Sequence, residues 1–198
     1  MTDISTKTEG LRERKKRETM ARIAQTGLRL FVQNGYEGTT LDEIAAEAGI
    51  ARRTFFYYFK SKEAILLAYI DGGYVKTLPP TLRAQPTDQT PLSAVYNSLL
   101  QLVSAHETAE AIVVDRLLGS TEALRARRQA AYIEMEQAVF TVLCEMWPRK
   151  DPAALQIVAM VSIGALRLAK QTWRQDGGKQ PLAKYLQESF ATLEHVTA

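Results

Sequence analysis

The stretch from Thr39 to Lys62, TTLDEIAAEAGIARRTFFYYFKSK, constrains the fold more strongly than any other part of the chain. Thr40 and Glu43 have the spacing of a capping box, in which two side chains satisfy free backbone N–H groups at the start of a helix. Gly49 is expected to end that helix, because glycine adopts the left-handed conformation at a helix C-terminus without a steric penalty. A second short helix is predicted over residues 51–58. Two short helices joined by a tight turn are the helix-turn-helix pattern.

The start of the second helix carries Arg52, Arg53 and Thr54. In a helix-turn-helix this region enters the major groove of DNA. Arginine can bond O6 and N7 of guanine there, and threonine can contact a base through its hydroxyl or methyl group. Two ordinary surface helices with solvated arginines would give the same short pattern. The five consecutive aromatic residues 55–59 favour the DNA-binding interpretation, because one helix face cannot bury them all and an outward tyrosine can bond a phosphate.

Residues on both sides of this stretch complete a pattern that resembles a known family. The matching residues are Phe31, Gly35, Tyr36, Thr39, Ile44, Ala45, Gly49, Thr54, Phe55, Tyr57, Phe59, Ser61, Lys62, Glu63 and Leu66. In this combination, about the first 65 residues resemble the DNA-binding domain of the tetracycline-repressor-type (TetR) family. Two positions depart from the family pattern, since Phe56 stands where tyrosine is usual and Tyr58 replaces a common histidine.

The resemblance implies an all-α fold with a three-helix DNA-binding domain and a larger helical domain for ligand binding and dimerisation. We expect base contacts from Arg52, Arg53 and Thr54. Phosphate contacts are expected from Thr40, Tyr57, Tyr58 and Lys62. The basic segment of residues 11–22, which precedes the motif, is expected to contact phosphates or to reach into the minor groove.

The rest of the chain is expected to be helical and to fall into a few segments. Residues 1–10 are predicted to be a disordered arm, residues 11–60 the DNA-binding domain, and residues 61–198 the larger domain. Within the larger domain a helix is predicted from Ser61 to about Lys76. The four prolines between residues 78 and 91 predict a linker there, because proline disfavours regular structure on its N-terminal side.

Charge and composition narrow the classes of function. The net charge is +3 overall, but it is +4 over residues 1–62 and −1 over residues 63–198, which places the positive excess with the DNA-binding domain. A single cysteine excludes an internal disulfide framework and is typical of a reducing cytoplasm. No uninterrupted run of about 18 apolar residues occurs, so no membrane-spanning helix is expected.

Catalytic and metal-binding patterns are not found in the sequence. The two histidines, His106 and His195, lie 89 positions apart without a nearby cysteine, so the spacing of metal ligands is missing. No Gly-rich phosphate loop, G-x-S-x-G or HExxH motif is present. We therefore expect no enzyme activity, no metal and no cofactor.

The last two helices have apolar stripes at helical spacing, one from about residue 153 and one from about residue 181. In TetR-like proteins the last two long helices form the dimer, and two recognition helices about 34 Å apart need such a two-fold axis. The residues expected at this interface are Leu155, Ser162, Ala165, Leu186, Phe190 and Leu193. Both stripes could instead face the core of their own subunit.

A small-molecule effector is expected in the larger domain. Candidate lining residues are Tyr96, His106, Arg116, Tyr132, Met135, Phe140, Trp147 and Trp173. Each could equally be core packing, but Arg116 lies within the apolar run IVVDRLL and needs a partner, which could be Asp115, a carboxylate of another helix or an anionic ligand. Residues 117–127 and Trp173 resemble a TetR subgroup that binds acyl-coenzyme-A-like ligands.

These observations predict a homodimeric transcriptional regulator that binds a palindromic double-stranded DNA operator as a repressor and is released by an apolar or anionic effector, such as an acyl-coenzyme A. An all-helical small-molecule-binding protein or enzyme is one alternative. A DNA-binding protein without a ligand is the other.

Overall fold

The computed structural model describes residues 11–105 and 111–197, and within those residues the chain is helical without strands. The helices are α1 (Leu11–Asn34), α2 (Leu41–Glu47), α3 (Arg52–Tyr58), α4 (Lys62–Gly72), α5 (Tyr74–Arg83), α6 (Pro91–Ala105), α7 (Ala111–Leu117), α8 (Glu122–Met146), α9 (Pro152–Gln175) and α10 (Leu182–Thr197). The all-α prediction is confirmed. Two compact units result, one ending at Ala68 and one beginning at Tyr69. The predicted arm of residues 1–10 lies outside the described residues.

The ends of the first three helices follow from local chemistry. The backbone N–H of Glu43 donates to Thr40 Oγ1 at 3.2 Å, and the N–H of Thr40 donates to Glu43 Oε2 at 2.7 Å, so the predicted capping box is present. Gly35 and Gly49, which follow α1 and α2, have φ angles of 79° and 67°. Residues with a side chain rarely adopt this left-handed conformation, so both positions require glycine.

The core of the first unit forms where apolar faces of α1 to α4 meet. Its fully buried side chains are Ile23, Phe31, Ile44, Phe55, Phe59, Ile65 and Leu66. Each such side chain contributes about 1.5–3 kcal/mol through removal from water. Gly27 allows α1 and α4 to approach closely, because a Cβ atom there would lie 3.1 Å from the side chain of Ile65. The unit therefore holds α3 rigidly through Phe55 and Phe59 and leaves its other face free.

The second unit is a helical bundle around one apolar core. Helix α9 packs against α6, α8 and α10, and α5 packs against α6 and α8. Thr121 and Asp151 cap α8 and α9 by accepting backbone N–H bonds of 3.2 and 3.1 Å. Gly177 and Gly178, with φ angles of 71° and 74°, turn the chain from α9 into α10.

Two expectations about the middle of the chain are corrected by the structure, one of them only in part. The helix from Ser61 does not reach Lys76, because α4 ends at Gly72 and a new helix begins after Gly73. The predicted linker over residues 78–90 begins inside a helix, since α5 runs through Pro79 and Pro80 to Arg83. Residues 84–90 form the expected non-helical connection to α6. An interior proline costs about 3 kcal/mol, but complete burial of Leu78 and Leu82 offsets that cost.

Helix α9 is apolar on more than one side. Its best 18-residue window has a mean hydropathy of 1.6 and is 39% buried, so by length and composition α9 could cross a membrane. The core helix of a bundle passes the same test. The packing against three neighbouring helices accounts for α9 in this fold.

Most of the residues predicted for the dimer interface lie in the core of their own subunit, so this prediction is wrong for them. Leu155, Ser162, Ala165, Leu186 and Phe190 are at most 8% exposed. They are buried because the stripes that they form face α6, α8 and each other within one chain. Of the predicted set, Leu193 is half-buried and remains accessible.

Candidate functional site

The N-terminal end of α3 presents the three residues that the sequence predicted for base contacts. Arg52, Arg53 and Thr54 are all exposed, whereas Phe55 directly after them is fully buried. Helix α3 begins without a side-chain cap, since Ala51 occupies the N-cap position. Burial of Phe55 and Phe59 thus fixes the rotation of α3 and directs these side chains outward.

Arg52 is held by two neighbours in its own unit. Its Nε atom lies 3.1 Å from Asp42 Oδ1, and its guanidinium carbon lies 5.6 Å from the centre of the Phe56 ring. A cation over an aromatic face is attracted by the ring quadrupole. Phe56 therefore contacts Arg52 through the face of its ring. This contact does not need the hydroxyl group of the tyrosine that is usual at position 56.

Arg53 has no such restraint. It is exposed, and the described residues show no ion pair or hydrogen bond to its guanidinium group. Its donors are therefore free for an incoming partner. Of the two adjacent arginines, Arg53 is the better candidate for direct base readout and Arg52 is partly committed to Asp42.

The two tyrosines of α3, Tyr57 and Tyr58, differ in how far they are exposed. Tyr57 is 66% exposed, and its ring packs edge-on against half-buried Tyr58 with 5.2 Å between centroids. Lys16 of α1 lies 5.7 Å from the Tyr57 ring, so an exposed aromatic ring and a basic helix share one surface. Thr40 is exposed, but its hydroxyl is already engaged with Glu43 at 3.0 Å.

Lys62 is less available for a phosphate than the sequence suggested. Its ammonium donates to the carbonyl oxygen of Tyr36 at 2.6 Å and lies 4.6 Å from the Tyr36 ring. The side chain is only 22% exposed. Burial, followed by the nearby carboxylates of Glu63 and Glu37, raises the pKa of Tyr36. Lys62 therefore fastens the start of α4 to the turn after α1.

The second unit contains a cavity of about 360 Å³. Its wall is mainly apolar and aromatic, formed by Tyr69, Tyr74, Val103, Ala111, Ile112, Val114, Leu118, Trp173, Pro181 and Leu182. Asp115 and Lys170 are the charged residues deep in the lining, and Lys179 lies toward the exposed turn before α10. The volume is near the lower end of the range of about 300–1,000 Å³ for small-molecule pockets.

The carboxylate of Asp115 is the centre of a charged cluster beside this cavity. Its side chain is 6% exposed, and Arg174 Nη1 donates to its Oδ2 atom at 2.9 Å. Lys170 Nζ lies 4.0 Å from Oδ1, and Arg128 Nη1 lies 3.9 Å from Oδ2. Helices α7, α8 and α9 thereby place three cations around one carboxylate.

Titration of the surrounding groups reflects the same environment. Burial lowers the pKa of Lys170, while Asp115 opposes this effect and the like charges of Arg174 and Arg128 add to it. Burial raises the pKa of Tyr132, and the Asp115 carboxylate raises it further. The pKa of Tyr69 is raised for the same two reasons. The carboxylate therefore influences groups on α4, α8 and α9.

The predicted effector residues are found in different places. Trp173 lines the cavity, whereas Tyr132, Met135 and Trp147 belong to the buried core, and Tyr96 and Phe140 pack against it outside the cavity wall. His106 lies outside the described residues.

The expectation for Arg116 is wrong, because its side chain is exposed and its neighbour Asp115 is the buried charge. The apolar run IVVDRLL indicated a buried charge correctly but not which of two adjacent residues carries it. Lys170 and Arg174, one helical turn apart on α9, were missed because their sequence context gives no sign of a partner on α7.

Comparison with known protein families agrees with this geometry. The model described as bacterial regulatory proteins, tetR family, matches residues 23–69, and the model described as the MftR C-terminal domain matches residues 89–198. The second match alone covers more than half of the chain. The chain belongs to the TetR family. The resemblance that the Thr39–Lys62 motif indicated is thereby confirmed.

Two relatives named as transcriptional regulators match about half of the chain. The HTH-type transcriptional regulator TcmR of Streptomyces glaucescens is 33% identical over 109 residues, which are 55% of this chain and 48% of TcmR. The HTH-type transcriptional regulator RutR of Escherichia coli K12 is 37% identical over 95 residues, or 48% of this chain and 44% of RutR. These matches span less than half the length of either relative.

Solved TetR structures extend the likeness to both units. FadR of Thermus thermophilus, a TetR family transcriptional repressor in complex with lauroyl-CoA, has a TM-score of 0.60 and 22% sequence identity. The match covers 88% of this chain and 92% of the FadR chain. At this identity the comparison establishes the shared TetR fold.

Proposed function

We propose that this TetR-family protein is a sequence-specific transcriptional repressor that binds a palindromic operator as a homodimer in the bacterial cytoplasm. The observation that carries the proposal is the exposed start of α3, where Arg53 is free and Arg52 and Thr54 flank it. The rigid attachment of α3 through buried Phe55 and Phe59 gives these side chains a fixed direction, as base recognition requires.

Substitution of Arg53 by alanine should weaken operator binding by about 1–3 kcal/mol and relax the preference at one base position. The reason is that an arginine bound to a guanine edge contributes to discrimination as well as affinity. Binding to a panel of single-base operator variants measures both effects. The matched control is Arg149→Ala, which removes an exposed arginine from the second unit and should leave the panel unchanged. An equal loss on every sequence in the panel would make Arg53 a phosphate contact instead.

Substitution of Lys62 by alanine should destabilise the first unit, because the bond from its ammonium to the Tyr36 carbonyl is lost. Hydrogen bonds that involve a charged group contribute about 1.5–3 kcal/mol. Urea unfolding measures this loss, and the salt dependence of DNA binding should keep its slope. The control Lys150→Ala, at an exposed turn, should change neither quantity. A slope reduced by about one with unchanged stability would return Lys62 to the phosphate contacts.

The dimer interface is proposed to lie on the outward face of α9. Ile157, Met160 and Leu168 are 59%, 51% and 50% exposed and recur at helical spacing. Gly164 lies between them, and nothing stands within 4 Å of where its Cβ would be. Close helix packing uses such small residues. A second copy of α9, related by the two-fold axis that a palindrome demands, is the occupant that we propose for this face.

The cavity of the second unit is proposed to bind the effector. FadR of Thermus thermophilus was solved with lauroyl-CoA, so acyl-coenzyme A thioesters are the first ligands to test. Tyr69 of α4 lines the cavity, while Ile65 of the same helix is buried in the first unit. A ligand that binds better to one position of α4 would shift the equilibrium between DNA-binding states by that difference in affinity.

The proposed function is tested by selection of bound sequences from a random duplex pool, followed by gel shift. A recovered palindrome is the expected result, with half-sites spaced by whole turns of DNA. No enrichment at low salt would contradict the proposal and favour a helical ligand-binding protein or enzyme. Enrichment without release by any effector would favour the ligand-independent DNA-binding alternative.

A further inference from the structure

The charges beside the cavity do not balance within the described residues. Asp115 is the carboxylate of the cluster, and it faces the cations of Arg128, Lys170 and Arg174. All four side chains are at most 27% exposed. Ionic groups removed from water need both opposite charge and hydrogen bonds to offset their lost hydration, and one carboxylate supplies these for one of the three cations.

Arg174 takes the direct bond to Asp115, which leaves the other two cations poorly satisfied. The Nη1 atom of Arg128 is buried and has no hydrogen-bond partner among the described residues. Lys170 approaches Asp115 only to 4.0 Å and lies over the Tyr74 ring at 4.8 Å. A buried donor without an acceptor destabilises the fold, and more so when it is charged. The arrangement therefore favours an additional acceptor at this place.

The cavity supplies room for an acceptor beside Lys170 and for an apolar group attached to it. Lys170 and Asp115 line the cavity, as do the apolar side chains of Ile112, Leu118 and Trp173. Its volume of about 360 Å³ is at the small end of known pockets. A compact ligand fits this space better than a long or branched one.

We propose that the cavity binds a compact ligand with an oxyanion group, carboxylate or phosphate, paired with Lys170 in the cavity wall, and an apolar body packed against Trp173. Arg128 does not line the cavity, but it adds positive charge beside Asp115 and so strengthens the attraction for the oxyanion. The inference rests on the proposed function only in taking this cavity as the effector site. Asp115 and Arg174 are positioning residues, since Arg174 neutralises Asp115 and so leaves the charge of Lys170 and Arg128 for the ligand.

Titration calorimetry on the full chain tests this assignment directly. The probes are hexanoate, octanoate and decanoate, the corresponding alkyl phosphates, decan-1-ol as a neutral ligand, and decanoyl-coenzyme A. At least one carboxylate or phosphate should bind the native protein, and Lys170→Met should weaken it by about tenfold to a hundredfold. Binding of decan-1-ol should be the same in both proteins. The carboxylate and phosphate series separate the two sources of the oxyanion.

Two further variants keep the test decisive. Arg128→Gln should weaken the same oxyanions even if Lys170→Met folds poorly, and Lys150→Met, at an exposed turn, should bind like the native protein. Equal affinity of all variants for every oxyanion, or no binding of any oxyanion at millimolar concentration, would overturn the proposal. Binding of decanoyl-coenzyme A alone, unaffected by either variant, would also overturn it.

Release of operator DNA by the same probes is measured separately. Oxyanion binding that depends on Lys170 but leaves the DNA complex intact would uphold the site and contradict the ligand-released repressor. If a ligand releases the DNA equally well from the native protein and from the Lys170→Met and Arg128→Gln variants, the ligand-released repressor is supported and the oxyanion site is contradicted.

Discussion

Replacement of Asp115 by asparagine is expected to lower the free energy of unfolding by about 3–5 kcal/mol, the usual effect of removing one partner of a buried ion pair. The carboxylate is 6% exposed and is the acceptor for Arg174 at 2.9 Å. Without it, Arg174, Lys170 and Arg128 would repel one another in a place that water reaches poorly. Asparagine keeps the size of the side chain, so the change tests charge rather than packing.

Urea unfolding, followed by circular dichroism, measures this effect. The matched control is Asp88→Asn, in the exposed turn before α6, which should stay within about 0.5 kcal/mol of the native protein. Adding Arg174→Gln to Asp115→Asn should recover part of the stability, because one of the repelling cations is removed. A loss below about 1 kcal/mol for the single variant would show that the three cations are solvated and that Asp115 does not organise them.

The double substitution of Ile157 and Met160 by glutamate is expected to produce monomers and to lower affinity for the palindromic operator by about 10²–10⁴. That range is the gain that two linked binding modules obtain from a shared site. Both side chains are more than half exposed in the isolated chain, so charge is tolerated in the monomer. At a two-fold axis the four carboxylates would meet in an apolar contact and oppose association.

Sedimentation and gel shift measure the two expected effects. The control is Ile133→Glu on α8, since Ile133 is 61% exposed and lies outside the α9 face. A dimer that persists in the double variant would place the interface elsewhere. Phe190→Glu, by contrast, is expected to unfold the second unit, because Phe190 is 4% exposed and packs on Tyr96 at 4.9 Å between ring centroids.

The sequence predicted the first unit well because its signals are local. The capping box of Thr40 and Glu43, the turn at Gly49 and the alternation of buried and exposed aromatic residues each depend on a few adjacent positions. Side chains such as Lys62 were harder to assign, because its partner Tyr36 lies 26 residues earlier in the chain.

The second unit could be predicted only as a set of helices. Helix α9 is apolar on two faces, so its stripe did not reveal that Leu155 faces inward and Ile157 outward. The cluster around Asp115 joins three helices through residues up to 59 positions apart. Helical periodicity does not encode such pairings. Pro79 and Pro80 indicated a linker where α5 runs for the same reason, since the burial that stabilises α5 is tertiary.

The uncovered apolar face of α9 also has a consequence for how operator binding depends on the concentration of the protein. If that face is covered only by a second copy, assembly follows mass action, and stability is inseparable from the concentration of subunits. Dilute subunits would display Ile157, Met160 and Leu168 to water and to proteases. In a cell that makes little of this protein, operator occupancy would then fall faster than the concentration of subunits, because each occupied operator requires two chains.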